Sequence, residues 1–148
     1  MLRHCCGQVG DLSAHFLRTV AERSAALSAS WMVAGFAHGV PNTNNMNITG
    51  ESFDYGPHRF VLYSDPDLLR RTSITPVYIG FARKPEVVLW NLQRLAEALM
   101  PISKQSELSE ALQNYEDAFV DSLYQKFIER LGVVSQGDTS DGELVNAT

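Results

Sequence analysis

Between His38 and Pro57 the chain reads HGVPNTNNMNITGESFDYGP, a stretch in which asparagines at 42, 44, 45 and 47 precede a single aspartate, Asp54. Thr49-Gly50 is a plausible two-residue turn, and the flanking residues alternate with period two, which predicts a β-hairpin. Counting outward from that turn sets Ile48 opposite Glu51, Asn47 opposite Ser52, Met46 opposite Phe53 and Asn45 opposite Asp54. Alternation then sends Met46, Ile48 and Phe53 to one face and Asn45, Asn47, Ser52 and Asp54 to the other. Side chains directly opposite in an antiparallel pair stand about 5 Å apart at Cβ, so an amide oxygen and a carboxylate would lie side by side. That pairing suits a hard cation. Mg²⁺ takes oxygen ligands, commonly one or two from protein, and completes its octahedron with water and substrate phosphates. Asparagine, glycine and aspartate are also the residues of turns, so part of this polar crowding needs no ligand.

The elements that must position the stretch are helical. Leu12, Phe16, Val20, Leu27 and Trp31 recur at helical spacing from Asp11 to about Ala34. Val88, Leu89, Leu92, Leu95, Ala96 and Leu99 do so between Glu86 and Leu99, with Pro85 and Pro101 at the ends. From Glu107 to Leu131 the positions 108, 112, 115, 119, 123, 127 and 131 are apolar, and Gly132 stops the helix. These stripes read as packing surfaces. The expected fold is α+β and mainly α-helical, three long helices with one hairpin. Residues 1–10 are expected as an irregular start, 11–132 as the folded unit, and 133–148 as a linker leading into a further truncated helix.

Composition excludes some partners. With 12 Lys and Arg against 17 Asp and Glu, the chain carries a net charge of -5, which gives no general attraction to nucleic acid or to an anionic membrane. No apolar run is long enough to cross a bilayer. Cys5 and Cys6 are adjacent and are poorly placed to bridge each other, and with His4 they make a weak soft-metal candidate. An intracellular compartment is expected, the cytoplasm in a bacterium or the mitochondrion in a eukaryote.

The spacing resembles a kinase-like active site, in which an Asn closing the catalytic loop and an Asp opening a DFG motif hold metal ions on a triphosphate. Asp54-Tyr55-Gly56 stands for DFG, and His38 precedes Asn45 by the separation found in H-R-D-x-x-x-x-N, with Val40 in the place of the usual base. More specifically, His38 to Pro57 is similar to the recurring line H-G-V-x-N-T-D-N-M-x-I-x-G-x-x-x-D-Y-G-P of the selenoprotein O family, kinase-fold proteins regarded as protein adenylyltransferases. The likeness extends through Trp31 to Phe36, Tyr63 to Pro66, Phe81 to Pro85, Trp90 to Leu99, Arg130 to Val133 and Asp141 to Asn146.

The resemblance implies a kinase-like C-lobe fragment that lacks the N-lobe, with its glycine-rich loop, lysine and glutamate. It implies ATP as substrate, Mg²⁺ or Mn²⁺ held by Asn45 and Asp54, and transfer of AMP to Ser, Thr or Tyr hydroxyls of protein substrates. His38 is expected to hold the loop by hydrogen bonds. Asn44 stands where the family carries the Asp of the catalytic position, and an amide cannot accept a proton as a carboxylate does. The expectation is therefore a fragment inactive alone. The competing readings are a non-catalytic helical interaction module, a degenerate pseudoenzyme fragment, and an ordinary phosphotransferase fragment, the last disfavoured by Val40.

Overall fold

The computed structural model describes residues 2–39, 41–53, 56, 58–60 and 84–133, with side chains described from residue 12 onward except that of Arg59. Among the described residues four helices and two short strands run in the order α1 (Leu2–Val33), β1 (Phe36–His38), β2 (His58–Phe60), α2 (Lys84–Leu99), α3 (Gln105–Gln113) and α4 (Tyr115–Leu131). The protein is mainly helical. Among the described residues no helix is long and apolar enough to cross a membrane.

The first helix starts at Leu2, so it takes in the residues expected to be irregular. No proline interrupts residues 1–34, and adding residues to an existing helix costs far less than nucleating one. α1 packs against each of the other helices, most extensively α4. Its buried face is not the predicted one throughout. Ala14, Leu17, Ala21, Ser24, Ala25, Ser28 and Ala29 are buried together with Val20 and Trp31, whereas Leu12 is 67% and Phe16 38% exposed. Small side chains let neighbouring helix backbones approach closely, so the alanine and serine face meets α3 and α4. The larger side chains of Leu12 and Phe16, in the third and fourth turns, fall outside that contact.

The core follows from this. Val20, Ala21, Ala25, Trp31 and Phe36 cluster with Val88, Leu92 and Tyr115, while Leu17, Leu108 and Ala111 form a second cluster. α2 begins at Lys84, so Pro85 occupies the first turn, where its missing N–H removes no helical hydrogen bond.

The single helix expected over 107–131 is two, broken at Asn114, whose φ of -85° and ψ of 4° lie outside the helical well. The apolar periodicity passes through the break without a phase change, which is why the pattern conceals it. Tyr115, the first residue of α4, is buried and donates its hydroxyl to the Pro85 carbonyl at 3.1 Å. Gly132 ends α4 as expected. With φ at 69° its N–H bonds Glu129 O, and Val133 N–H bonds Ile128 O, the paired bonds of a Schellman cap. Residues 134–148 lie outside the described residues.

Candidate functional site

Trp31, near the end of α1, leads into a tight exit at Gly35, whose φ is 64° and whose N–H bonds Met32 O at 3.0 Å. The chain then enters β1, which pairs antiparallel with β2 in the register Phe36 with Phe60, Ala37 with Arg59 and His38 with His58. His38 is buried against Trp31, with ring centroids 5.3 Å apart, and Phe36 meets it edge-on at 6.1 Å. This enclosed aromatic setting fits a structural task for the imidazole.

From Pro41 to Phe53 the chain makes two turns of the same construction. Asn42 accepts the Asn44 N–H on its side-chain oxygen at 2.9 Å and the Asn45 N–H on its carbonyl at 3.0 Å. Five residues later Asn47 accepts the Thr49 N–H on its side chain at 3.2 Å and the Gly50 N–H on its carbonyl at 3.1 Å. Asparagine favours such turns because its side chain can accept an N–H two residues on. Asn42 and Asn47 are thus turn builders, and Asn44 and Asn45 sit on the first turn.

The second turn corrects the expected register. It centres on Ile48-Thr49, and Gly50 follows with φ of 78° in the left-handed region, adding a residue to the connection. Ser52 therefore pairs with Met46, not with Asn47. A slip of one residue exchanges faces along a strand. Met46 and Ser52 now share the face toward the helices: Ser52 Oγ accepts Trp31 Nε1–H at 2.6 Å, and Met46 Sδ lies 3.1 Å from Asn91 Nδ2. Ile48 and Phe53, expected on a common apolar face with Met46, are instead 50% and 42% exposed.

Of the sequence-predicted site residues, Asn44 is exposed and Asn45 half-buried on the first turn. Asp54 lies outside the described residues, and the pairing of Asn45 with Asp54 lies there with it. Among the described residues no group of three or more His, Cys, Asp or Glu side chains could hold a metal ion. The donor chemistry still fits a hard cation at Asn45, an amide oxygen on a backbone fixed by its bond to Asn42.

Two buried polar residues of α2 escaped the sequence reading. Lys84 is fully buried, donates to the Phe36 carbonyl, and has its pKa lowered to about 7 by desolvation. Asn91 is buried and donates to the Pro41 carbonyl at 3.1 Å. The signal was present: Lys84 and Asn91 occupy the same helix face as Val88 and Leu92, so each is a polar residue on an apolar stripe.

With this geometry the chain meets its relatives. The sequence profile of the family described as "Protein adenylyltransferase SelO" matches residues 4–148. The chain belongs to that family. It is 43% identical over 141 residues to the "Protein nucleotidyltransferase YdiU" of Synechocystis sp., covering 93% of this chain and 30% of that protein. The proteins of the same name from Hahella chejuensis and Klebsiella pneumoniae are 41% identical over 125 residues and 38% identical over 149 residues. The chain spans 25% of the first and 31% of the second, so it corresponds to between a quarter and a third of these relatives.

Proposed function

We propose that this chain supplies the metal-binding loop of a protein adenylyltransferase that moves AMP from ATP to Ser, Thr or Tyr hydroxyls of proteins. One observation carries the reading: the whole loop, Asn45 and Asp54 included, lies within the segment that the family profile matches, while the Met46–Ser52 bridge brings the two limbs together in a register that does not itself set Asn45 opposite Asp54. The family supports it, since both the profile and the relatives' names denote nucleotidyl transfer. The surrounding kinase-like C-lobe architecture is part of the same proposal.

In that reading the acceptor hydroxyl oxygen attacks the α-phosphorus of ATP, the bond from that phosphorus to the oxygen bridging it to the β-phosphate breaks, pyrophosphate leaves with that bond's electron pair, and the hydroxyl proton passes to solvent water. A divalent ion held by Asn45 and Asp54 supplies charge neutralisation on the phosphates. The chain's own contribution is to hold the Asn45 amide oxygen on a closed turn. Asn44, exposed beside it, orients the hydroxyl by hydrogen bonding and accepts no proton, so this chain runs the reaction without the carboxylate base of its family.

The same Asn44 favours a second reading, a pseudoenzyme segment kept for its helical surfaces. A chimera separates the two. This chain is substituted for the matching segment of the Synechocystis relative and incubated with acceptor protein, Mg²⁺ and ATP labelled on the α- or the γ-phosphate. Label from the α-phosphate is expected on protein, at a rate that Asn44→Asp raises on the order of 10²-fold. Transfer of γ-label, or no transfer even with Asn44→Asp, would overturn the adenylyltransferase reading. Asp54→Ala is expected to abolish Mg²⁺-dependent transfer; unchanged metal dependence would remove Asp54 from the ligand set.

A further inference from the structure

We infer that Asn91 is a positioning residue for the turn that carries Asn44 and Asn45; its consequence for metal affinity rests on the function proposed above, but its geometry does not. The side-chain amide of Asn91 reaches both ends of the turn. One contact runs from Nδ2 to the Pro41 carbonyl, the residue before the turn, at 3.1 Å, and the other from Nδ2 to Met46 Sδ, the residue after it, at 3.1 Å. An amide nitrogen carries two hydrogens, so a single group serves both acceptors. Between them the Asn42 turn is closed from within by the bonds to the Asn44 and Asn45 N–H groups. The loop is thereby fixed at two ends and across its middle.

The orientation of the amide follows from its partners. Turning it over would set its oxygen against the Pro41 carbonyl, two acceptors face to face, so the nitrogen must point that way. Among the described residues Oδ1 of Asn91 is buried without a hydrogen-bond partner. A residue kept only to fill the core would be better served by leucine, which leaves no such oxygen behind. What leucine cannot do is donate to the loop. Lys84, two helical turns earlier on the same face, donates to the Phe36 carbonyl. α2 therefore holds the chain at Phe36, Pro41 and Met46, and Asn91 brackets the turn.

The inference separates two effects that a packing residue would couple. In Asn91→Leu the branched shape is kept and the unpartnered Oδ1 is removed, which offsets part of the cost of leaving the buried Pro41 carbonyl without its donor, so the protein is expected to fold with a modestly lowered melting temperature while the turn loosens. Backbone ¹⁵N order parameters of Asn44 and Asn45 should fall from the rigid range near ~0.85 to below ~0.6, with Ala25 and Ala29 in the α1 core unchanged. Met46→Leu, which removes only the sulfur acceptor, should produce a smaller fall at the same residues. Should Asn91→Leu fail to fold, Met46→Leu decides alone. Order parameters that stay at wild-type values at Asn44 and Asn45, or that fall equally at Ala25 and Ala29, overturn the proposal.

In the chimera described above, Asn91→Leu should raise the Mg²⁺ concentration for half-maximal α-label transfer at least tenfold. A chimera that transfers no label defeats the proposed function, and the order parameters still decide on Asn91. A chimera that transfers label with unaltered Mg²⁺ dependence in Asn91→Leu defeats the positioning role alone.

Discussion

The helical platform and the loop from Pro41 to Phe53 are held by different forces. α1 meets α3 and α4 through close-packed small side chains and two apolar clusters, an arrangement stabilised by burial and dispersion. The loop buries little of itself, with Thr43, Asn44, Ile48, Thr49, Glu51 and Phe53 all exposed. It keeps its shape through hydrogen bonds from its own asparagines and from side chains of the platform. A region of the first kind tolerates apolar-for-apolar changes that preserve volume; one of the second kind tolerates changes of volume that preserve donors and acceptors. The substitutions that follow are chosen to break or sharpen that division.

The largest effect is expected at Leu17, fully buried between α1 and α3. Leu17→Ala should cost about 2–5 kcal/mol of unfolding free energy, measured by denaturant titration. Leu12→Ala, five residues earlier on the same helix but 67% exposed, should change stability by no more than ~0.5 kcal/mol. Comparable losses at both positions would mean that the large apolar stripe, and not the alanine and serine face, is the one packed.

Lys84 comes next, because it belongs to the platform by burial and to the strand by its hydrogen bond. Desolvation lowers its pKa from 10.5 to about 7, so the folded protein disfavours the ammonium form that the unfolded chain prefers. The unfolded state binds more protons between those values. The destabilisation is therefore complete below pH 7 and is relieved as pH rises toward 10.5, so stability should climb through that window by an amount on the order of a few kcal/mol. Lys84→Met removes the ionisation and should flatten the slope. A slope that persists in the variant would assign it to other groups.

What the sequence disclosed divides along the same line. The existence of the helices around Val20, Leu92 and Phe119 and the stop at Gly132 follow from periodicity and capping chemistry. The exposed Leu12 and Phe16 did not, because a helix with both a large apolar stripe and a small-residue face offers two solutions, and only the partner helices choose between them. The break at Asn114 was hidden by an apolar pattern that continues across it. The hairpin register was missed by one residue because Asn47 closes its own turn and displaces Gly50 from the turn centre, a local hydrogen bond that alternation cannot reveal.

Gly50 tests that displaced turn directly. A Cβ there would lie 2.8 Å from Arg23 Cβ and 3.1 Å from the Arg23 carbonyl oxygen, on a backbone with φ of 78°. Gly50→Ala must therefore strain the loop or push it away from α1, at about 1–3 kcal/mol. Thermal unfolding would measure the cost, and the Asn47 to Gly50 turn would be the first structure lost. If Gly50→Ala were neutral, the loop would not lie against Arg23.

A smaller loss than at Gly50 is expected at a bond that ties the end of α1 to the far limb of the hairpin, Trp31 Nε1–H to Ser52 Oγ at 2.6 Å. Ser52→Ala leaves the indole in place and removes its acceptor, so stability should fall by roughly 0.5–1.5 kcal/mol. The informative quantity is where the disorder goes. Ser52 pairs with Met46, and Met46 is held by Asn91, so a loop stabilised as a connected set of hydrogen bonds should lose backbone order at Met46 as well as at Ser52. A loop held independently on each limb would lose order at Ser52 alone. In the first case Trp31 and Asn91 act on one object, and the end of α1 helps set the place of Asn45; in the second, the near limb owes its shape to α2 and to Asn42, and the hairpin contributes nothing to it.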